Sequence, residues 1–444
     1  MKGIRVSSAI RSAGDDTLKQ MISTQSIARY QQEPKKIQVE TVMNLLRGRN
    51  TFLLAATGFG KSRISEMYLD LLPKDRHGRI LGVVVALNPL DALGDNQVEE
   101  KMAAGFSAIN LTYLNFTHEV GLNVMNGFYN FVYVSPETFL NNLTFVDIYF
   151  SNEFQTKLAL VVVDEAHMIY SWGLVENGQR HLKTLVRHQD QSPFRPSFGS
   201  LSAQLLTKNL APILLMSATC RPPAIEAIKK NLKLLDDHID ILKSELTRPE
   251  IRIIRILMNH SLKSCLDILQ IYGLKELVPD EDVVPALIYT GTRALTLTVL
   301  EVLDKARGTP NLGSNLAPYS TFARRYHACT GDLDKQDAIN GFSKGQIPIL
   351  ACTLALGMGQ NWKLVRQVVH MGRGDPSLIC QMIGRCGRDG RPGLAIMFVE
   401  QNCPKGKNKV DEFTPGQIQS DEDRMDALAV TPVCLRIAFS IDNR

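Results

Sequence analysis

Ala56-Thr57-Gly58-Phe59-Gly60-Lys61-Ser62 lies between the apolar run Thr51-Phe52-Leu53-Leu54-Ala55 and the helical pattern Arg63-Ile64-Ser65-Glu66-Met67-Tyr68-Leu69. Strand, glycine-containing loop, Lys-Ser and helix is the order of a phosphate-binding loop. Small residues let backbone N–H groups curl around phosphate oxygens, and the helix N-terminus adds partial positive charge. Lys61 has the reach for β- and γ-phosphates, and the Ser62 hydroxyl suits Mg²⁺. Ala55 stands where the pattern has its first glycine. Taken alone, the loop therefore also reads as an ordinary tight turn before a helix.

A second motif narrows that choice. Leu160-Val161-Val162-Val163 runs into Asp164-Glu165-Ala166-His167. Four apolar residues read as a buried strand. The two carboxylates fall where such a strand ends, which is where parallel α/β sheets hold ligands. Asp164 suits a nucleotide-bound Mg²⁺, and Glu165 suits a water that must be positioned or deprotonated.

Outward from these motifs, strands alternate with helical segments. Val83 to Leu87, Phe131 to Val134, Val161 to Asp164 and Ile213 to Met216 form a first set. Ala286 to Tyr289, Ile347 to Ala351, Gln367 to His370 and Ala395 to Val399 form a second, without a phosphate loop of its own. This rhythm predicts an α/β fold with two mostly parallel sheets, each with helices on both faces. The expected divisions are an N-terminal extension (1–30), a first lobe (31–225), a charged helical linker (226–250), a second lobe (251–402) and a short C-terminal tail (403–444). Lys405 to Lys409 reads as a solvated basic loop.

Composition sets broad limits. The chain has 444 residues, a net charge of +5, 44% hydrophobic and 21% charged residues. That is ordinary for a folded protein of two or three domains, and permits nucleic-acid binding. No apolar run approaches the roughly 18 residues of a membrane span. The cysteines form no C-x-x-C pair, which argues against zinc and against a disulfide framework, and for buried, reduced thiols.

The second sheet carries Gln381-Met382-Ile383-Gly384-Arg385-Cys386-Gly387-Arg388-Asp389-Gly390. On a helix Arg385 and Arg388 share a face. A guanidinium on a separate lobe would make phosphoryl transfer depend on lobe closure. A basic helix face on solvent or a phosphate backbone is the competing reading.

The phosphate loop, Asp164 to His167, Ser217-Ala218-Thr219 and the Gln381 to Gly390 segment, in this order, resemble the core of superfamily 2 helicases. Ser171-Trp172-Gly173, Phe194-Arg195-Pro196, Tyr326-His327-Ala328 and Ala351-Cys352-Thr353 are similar to motifs of the RecQ DNA helicases. The resemblance implies two tandem RecA-like lobes that use ATP and Mg²⁺ to move 3′-to-5′ on single-stranded DNA and to open duplex junctions in the nucleus. It implies that Gln38 reads adenine, and that Thr57, Gly58, Phe59, Gly60, Lys61 and Ser62 hold the phosphates. Ser62 and Asp164 would bind the metal, and Glu165 would be the base. Arg388 would be the arginine finger, with Gln381 and Arg385 beside it. His167, Ser217 and Thr219 would couple nucleotide to DNA, and Trp172, Phe194 and Arg195 would contact DNA.

Some positions depart from the family pattern. Lys35 replaces the adenine-side arginine, and Tyr30 is the candidate adenine stack. Residues 174–193 enlarge the aromatic loop and remove its His-Asp, which predicts weakened coupling. Gln360-Asn361 replaces an aspartate after Gly359. The accessory zinc, winged-helix and HRDC regions are missing, so the expectation is a bare two-lobe motor or a fragment of a longer chain. An RNA helicase on the same core and a degenerate nucleic-acid clamp stay open as alternatives.

Overall fold

Continuous β-branched runs become the inner strands of two all-parallel sheets in the computed structural model. It describes residues 3–4, 6–89, 91–170, 205, 209–309, 320–356 and 362–443. The chain divides into two compact units and passes from the first to the second between Leu246 and Thr247.

The first unit holds β1 (Asn50–Leu54), β2 (Val83–Leu87), β3 (Ala108–Leu111), β4 (Phe131–Val134), β5 (Leu158–Val163), β6 (Ile213–Ser217) and β7 (Ile239–Lys243). They form one seven-stranded sheet in the order β3-β4-β2-β5-β6-β1-β7. β2, β5 and β6 are buried along their whole length. Helices cover both faces of such a sheet, so inner strands show no polar alternation. β6 lies between β5 and β1, with Val163 beside Leu215 and Leu54 beside Ser217. The carboxyl ends of these three strands are therefore neighbours. The helices used below are α1 (Asp15–Tyr30), α2 (Lys36–Leu46), α3 (Arg63–Asp70), α4 (Asp91–Ala103) and α5 (Pro222–Asn231).

The second unit holds β8 (Ile251–Leu257), β9 (Ala286–Tyr289), β10 (Ala323–Tyr326), β11 (Ile349–Cys352), β12 (Gln367–Met371) and β13 (Gly393–Val399). Their order is β10-β11-β9-β12-β13-β8. The pleat of β9 sends Leu287 and Tyr289 into one apolar cluster and Ala286 and Ile288 into the other, so both faces are cores. Its helices include α6 (Arg293–Ala306), α7 (Pro376–Ile383), α8 (Asp421–Val430) and α9 (Leu435–Asp442).

The structure differs from the sequence reading at the edges. Residues 226–250, expected as a helical linker, contain the end of α5 and then β7, which pairs with β1 from Asn50↔Ile239 to Leu54↔Lys243. In β7 only Ile239 is buried, and the polar alternation of an edge strand resembles a charged helix in sequence. Arg49 fixes this edge through Asp240 (Nη2 to Oδ1, 2.7 Å). The sequence reading also passed over β3, β8 and β10.

The N-terminal extension supplies Ile10, Leu18 and Ile22 to the first core. The C-terminal tail supplies Leu428, Leu435 and Phe439 to the second. Lys407, expected in a solvated loop, donates its N–H to Asp426 (2.8 Å), pairs with Asp423 (2.6 Å) and lies over the Phe413 ring. Among the eight cysteines, Cys329 and Cys434 are exposed rather than buried. No helix among the described residues is long and apolar enough to cross a membrane.

Candidate nucleotide and coupling site

The loop after β1 turns on Gly58 (φ 75°) and Gly60 (φ 88°), left-handed conformations that glycine adopts without strain. The Ala55 N–H donates to the Ser217 carbonyl (3.1 Å), which fixes the loop's start to β6. Lys61 Nζ donates to the carbonyls of Ala55 (2.9 Å) and Ala56 (3.3 Å). Ser62 is the N-cap of α3, yet its side chain makes no capping hydrogen bond.

Gln38, on α2, is 3% exposed. Its Oε1 accepts the Lys35 N–H (2.8 Å), and its Nε2 donates to the Gly60 carbonyl (3.0 Å). A Cβ on Gly60 would lie 2.9 Å from that nitrogen, so glycine also keeps room for the glutamine. The residue expected to read adenine thus also braces the phosphate loop. Lys35 Nζ donates to the Phe59 carbonyl (3.1 Å) and lies 4.2 Å from the Phe59 ring centroid. Tyr30, the candidate adenine stack, carries the Arg63 guanidinium over its ring at 4.4 Å and bonds Glu66 through its hydroxyl.

At the end of β5, Asp164 accepts the Glu165 N–H (2.9 Å). Burial pushes the Asp164 carboxyl up to about 6, with the Glu165 charge adding to the rise and Lys61 opposing it. Glu165 has φ 50°, a left-handed conformation unusual outside glycine and of the sort that clusters at active sites. Its Oε2 is buried and accepts no hydrogen bond among the described residues.

His167 Nδ1 lies 2.9 Å from Ser217 Oγ and 3.4 Å from Glu165 Oε2. The Ser217 hydroxyl donates its single hydrogen to the Thr219 carbonyl (2.8 Å) and accepts the Thr219 N–H (3.2 Å). Because that hydrogen is already committed, the bond to His167 places a proton on Nδ1. The three residues expected to couple nucleotide and DNA form one hydrogen-bonded chain starting beside Glu165. Trp172, Phe194 and Arg195 lie outside the described residues, as do Gly357 to Asn361.

In the second unit, α7 ends at Ile383, and Arg385 and Arg388 follow it in successive turns. This corrects the expectation of two arginines on a helix face: Gly384 and Gly387 end the helical run, and Gly387 has φ 62°. Gln381 and Arg385 are buried. Arg388 is half-buried, with Nε 3.4 Å from the Gly384 carbonyl. Arg248, missed in the sequence as part of the linker, donates to the carbonyls of Cys386 (3.1 Å) and Gly387 (2.8 Å) and so clamps the turn. Asp375 caps α7 by accepting the Ser377 and Leu378 N–H groups (2.9 and 3.0 Å). Arg424 of α8 pairs with Asp375 (3.4 Å), Asp421 (3.1 Å) and Asp442. No motif spacing marks Arg248 or Arg424. The carbonyls that Arg248 clamps lie more than a hundred residues away, and two of Arg424's partners, Asp375 and Asp442, lie on other elements.

Comparison with protein families matches residues 35–228 to the DEAD/DEAH box helicase family and residues 284–390 to the helicase conserved C-terminal domain. The chain is 27% identical over 375 residues to the ATP-dependent DNA helicase RecQ of Pasteurella multocida, covering 82% of this chain and 50% of that protein. It is 28% identical over 365 residues to the bifunctional 3′-5′ exonuclease/ATP-dependent helicase WRN of Mus musculus, covering 80% of this chain and 22% of that one. The chain thus spans half or less of these two relatives' lengths. Among solved structures, Mss116p bound to single-stranded RNA and AMP-PNP aligns with a TM-score of 0.59 at 17% identity, over 90% of this chain and 78% of that one. MrfA bound to DNA aligns with a TM-score of 0.58 at 14% identity, over 90% of this chain and 50% of that one. These structural neighbours support a fold of two tandem RecA-like lobes. The chain thus carries a DEAD/DEAH box helicase domain followed by a helicase conserved C-terminal domain, and along four fifths of its sequence it is similar to RecQ-family DNA helicases.

Proposed function

We propose that the chain is an ATP-dependent DNA helicase or translocase, moving 3′-to-5′ on single-stranded DNA and opening duplex junctions. One observation carries the reading. The carboxyl ends of β1, β6 and β5 bring together the Lys61 loop, the Ser217–His167 bond and the Asp164–Glu165 pair. A nucleotide cradle and a relay leading away from it share one edge of one sheet, as a motor requires.

In this reading Lys61 and the backbone of Thr57 to Ser62 bind the phosphates. Glu165 takes the proton of the attacking water. A glutamate with left-handed backbone, whose Oε2 accepts no hydrogen bond among the described residues and lies beside His167, is suited to that task. Ser62 and Asp164 would hold Mg²⁺, which neutralises charge on the transferring phosphoryl group. The residues fit it: a half-buried carboxylate, raised by its desolvation and by Glu165, favours a cation, and the Ser62 hydroxyl is not spent on capping. Among the described residues no cluster of three or more His, Cys, Asp or Glu stands ready to hold a metal. Mg²⁺ needs only one or two protein oxygens beside phosphates. Arg388, with Gln381 and Arg385, supplies the second unit's charge to the transition state. His167, Ser217 and Thr219 pass the nucleotide state towards DNA, which Trp172, Phe194 and Arg195 help to hold. Action on nuclear DNA belongs to the same proposal, and a fluorescent fusion excluded from the nucleus would remove it.

The test is steady-state ATP hydrolysis with single-stranded DNA, with RNA and with neither. DNA stimulation that disappears in Lys61→Ala is the expected result. Stimulation by RNA alone would make the chain an RNA helicase, and nucleotide binding without hydrolysis would make it a clamp. Binding to DNA should weaken steeply with salt, because phosphate contacts dominate.

A further inference from the structure

Lys101 on α4 is 1% exposed, a depth that lysine rarely reaches unpaired. Its ammonium donates to the Ser62 carbonyl (3.0 Å) and to Glu66, and lies 5.0 Å from the Phe131 ring centroid. Glu66, 7% exposed, receives Lys101 on one oxygen and the Tyr30 hydroxyl on the other. Ser62 and Glu66 bracket the first turn of α3, the helix that follows the phosphate loop. One buried cation therefore holds both ends of that turn. Tyr30 ties the turn to the end of α1, and Arg63 adds a second tie by stacking on Tyr30 and reaching Gln32 Oε1 (2.9 Å).

This is a poor way to fill a core. A buried Lys–Glu pair is often no better for stability than apolar residues of the same volume. A cation near a helix N-terminus also opposes the helix dipole. What the pair does provide is direction. The Ser62 carbonyl receives Lys101 Nζ and Ser65 Oγ, each at 3.0 Å. With that peptide plane fixed, the Ser62 hydroxyl has a defined approach to a ligand.

We infer that Lys101, Glu66 and Tyr30 are positioning residues that aim Ser62 at a phosphate-bound Mg²⁺, which makes α1 a working part of the nucleotide site. The inference rests on the nucleotide-binding reading above and assigns that site residues on α1 and α4.

The experiment is calorimetric ADP binding with Mg²⁺ and with EDTA, alongside thermal melts, for the wild type, Tyr30→Phe and the double variant Lys101→Met/Glu66→Leu. The gain in affinity on adding Mg²⁺ should shrink about 10-fold in the double variant and about 3-fold in Tyr30→Phe, less than the full loss of a hydrogen bond to a charged group because these residues reach the metal only through Ser62. ADP affinity in EDTA should change less than about 2-fold, because metal-free phosphate binding does not use the Ser62 hydroxyl. Folded variants that keep the wild-type Mg²⁺ gain overturn the triad. If the double variant shows no cooperative melt, Tyr30→Phe, which keeps both charges, decides the matter alone. A wild type that binds no ADP in either buffer removes the nucleotide-site reading itself, a result distinct from unchanged variants.

Discussion

In the first unit chemistry-bearing side chains from neighbouring strand ends are bonded to one another, whereas in the second Arg388 rests on a turn of its own backbone. His167, Ser217 and Thr219 make one hydrogen-bonded chain, and Gln38 grips the phosphate loop directly. Arg388 by contrast bonds the Gly384 carbonyl, in a turn that Arg248 holds from outside. The difference follows from where each set lies. Strand ends in adjacent register bring their side chains into mutual reach, while the glycine-broken turn after α7 keeps Arg385 buried and leaves Arg388 half-buried. The first arrangement suits binding and sensing; the second suits a group that engages when a ligand arrives. Most of the substitutions below separate the two.

The largest effect should come from Lys61→Ala, which is expected to lower ATP hydrolysis by more than about 10³-fold and to weaken nucleotide binding as well. Arg388→Ala should lower kcat by about 10³-fold, within the range of arginine fingers, while nucleotide affinity changes no more than about 3-fold. Single-turnover kinetics together with equilibrium binding would check both. An Arg388→Ala protein that loses nucleotide affinity as Lys61→Ala does would erase the division between a binding unit and a charge-supplying one.

Much of the first site was legible in the sequence because its parts are local. A glycine loop between strand and helix, and an apolar run ending in two carboxylates, carry their own context. The strands passed over are those that burial does not mark: β7 alternates at a sheet edge, and β10, also an edge strand, is Ala-Arg-Arg-Tyr. The clamps were illegible for a different reason. Lys101 meets Glu66 and Ser62 across more than thirty residues, and Arg248 meets Gly387 across 139. No periodicity encodes such a pairing. Arg385 and Arg388 were identified by spacing, but the helix assumed to carry them ends at Ile383 because the intervening glycines favour turns.

Arg424 offers a second cut between the units. Its side chain is 6% exposed and serves Asp375, Asp421 and Asp442. Removing one member of a buried charge network typically costs 3–5 kcal/mol. These carboxylates keep some solvent contact, so about 3 kcal/mol is the expectation for Arg424→Met, lowering the second unit's melting temperature by roughly 10 °C. ADP affinity, a property of the first unit, should stay unchanged. A melt that shifts both units equally would show that they unfold as one.

A smaller effect, of opposite sign, is expected at Asp164. Burial and Glu165 raise its carboxyl from the ordinary 3.8 to about 6. Between those values the folded protein keeps a proton that the unfolded chain has lost, so stability falls as pH rises through that window. Above it the full penalty applies. In EDTA, Asp164→Asn should therefore melt above the wild type at pH 7.5, by roughly 2 kcal/mol once the full shift of about 3 kcal/mol is discounted for the partial exposure of Asp164, and the gap should close towards pH 4. A gap independent of pH would mean that the carboxylate is not strained in the folded state. The same substitution should remove the Mg²⁺ dependence of nucleotide binding, so stability gained and function lost would come from one atom.

The smallest effect tests whether Gln38 belongs to the base or to the loop. Its amide is engaged at both ends, accepting from the Lys35 N–H and donating to the Gly60 carbonyl. An adenine reader would have to exchange those bonds for bonds to the base, so the net gain from reading is limited to the difference between two sets of hydrogen bonds. A brace keeps them and acts on every nucleotide alike. Gln38→Ala should cost about 1 kcal/mol of binding in either case, since one or two neutral hydrogen bonds are lost. ATP and GTP then give the answer. If KM rises about 5-fold for ATP and not for GTP, the residue reads adenine, and Lys35 and Tyr30 become the next positions to vary. If KM rises equally for both, Gln38 serves the Gly60 turn, and base selectivity must come from elsewhere in the chain. The bond to Gly60 favours the equal rise, because the carbonyl it holds belongs to the loop that grips the phosphates common to both nucleotides.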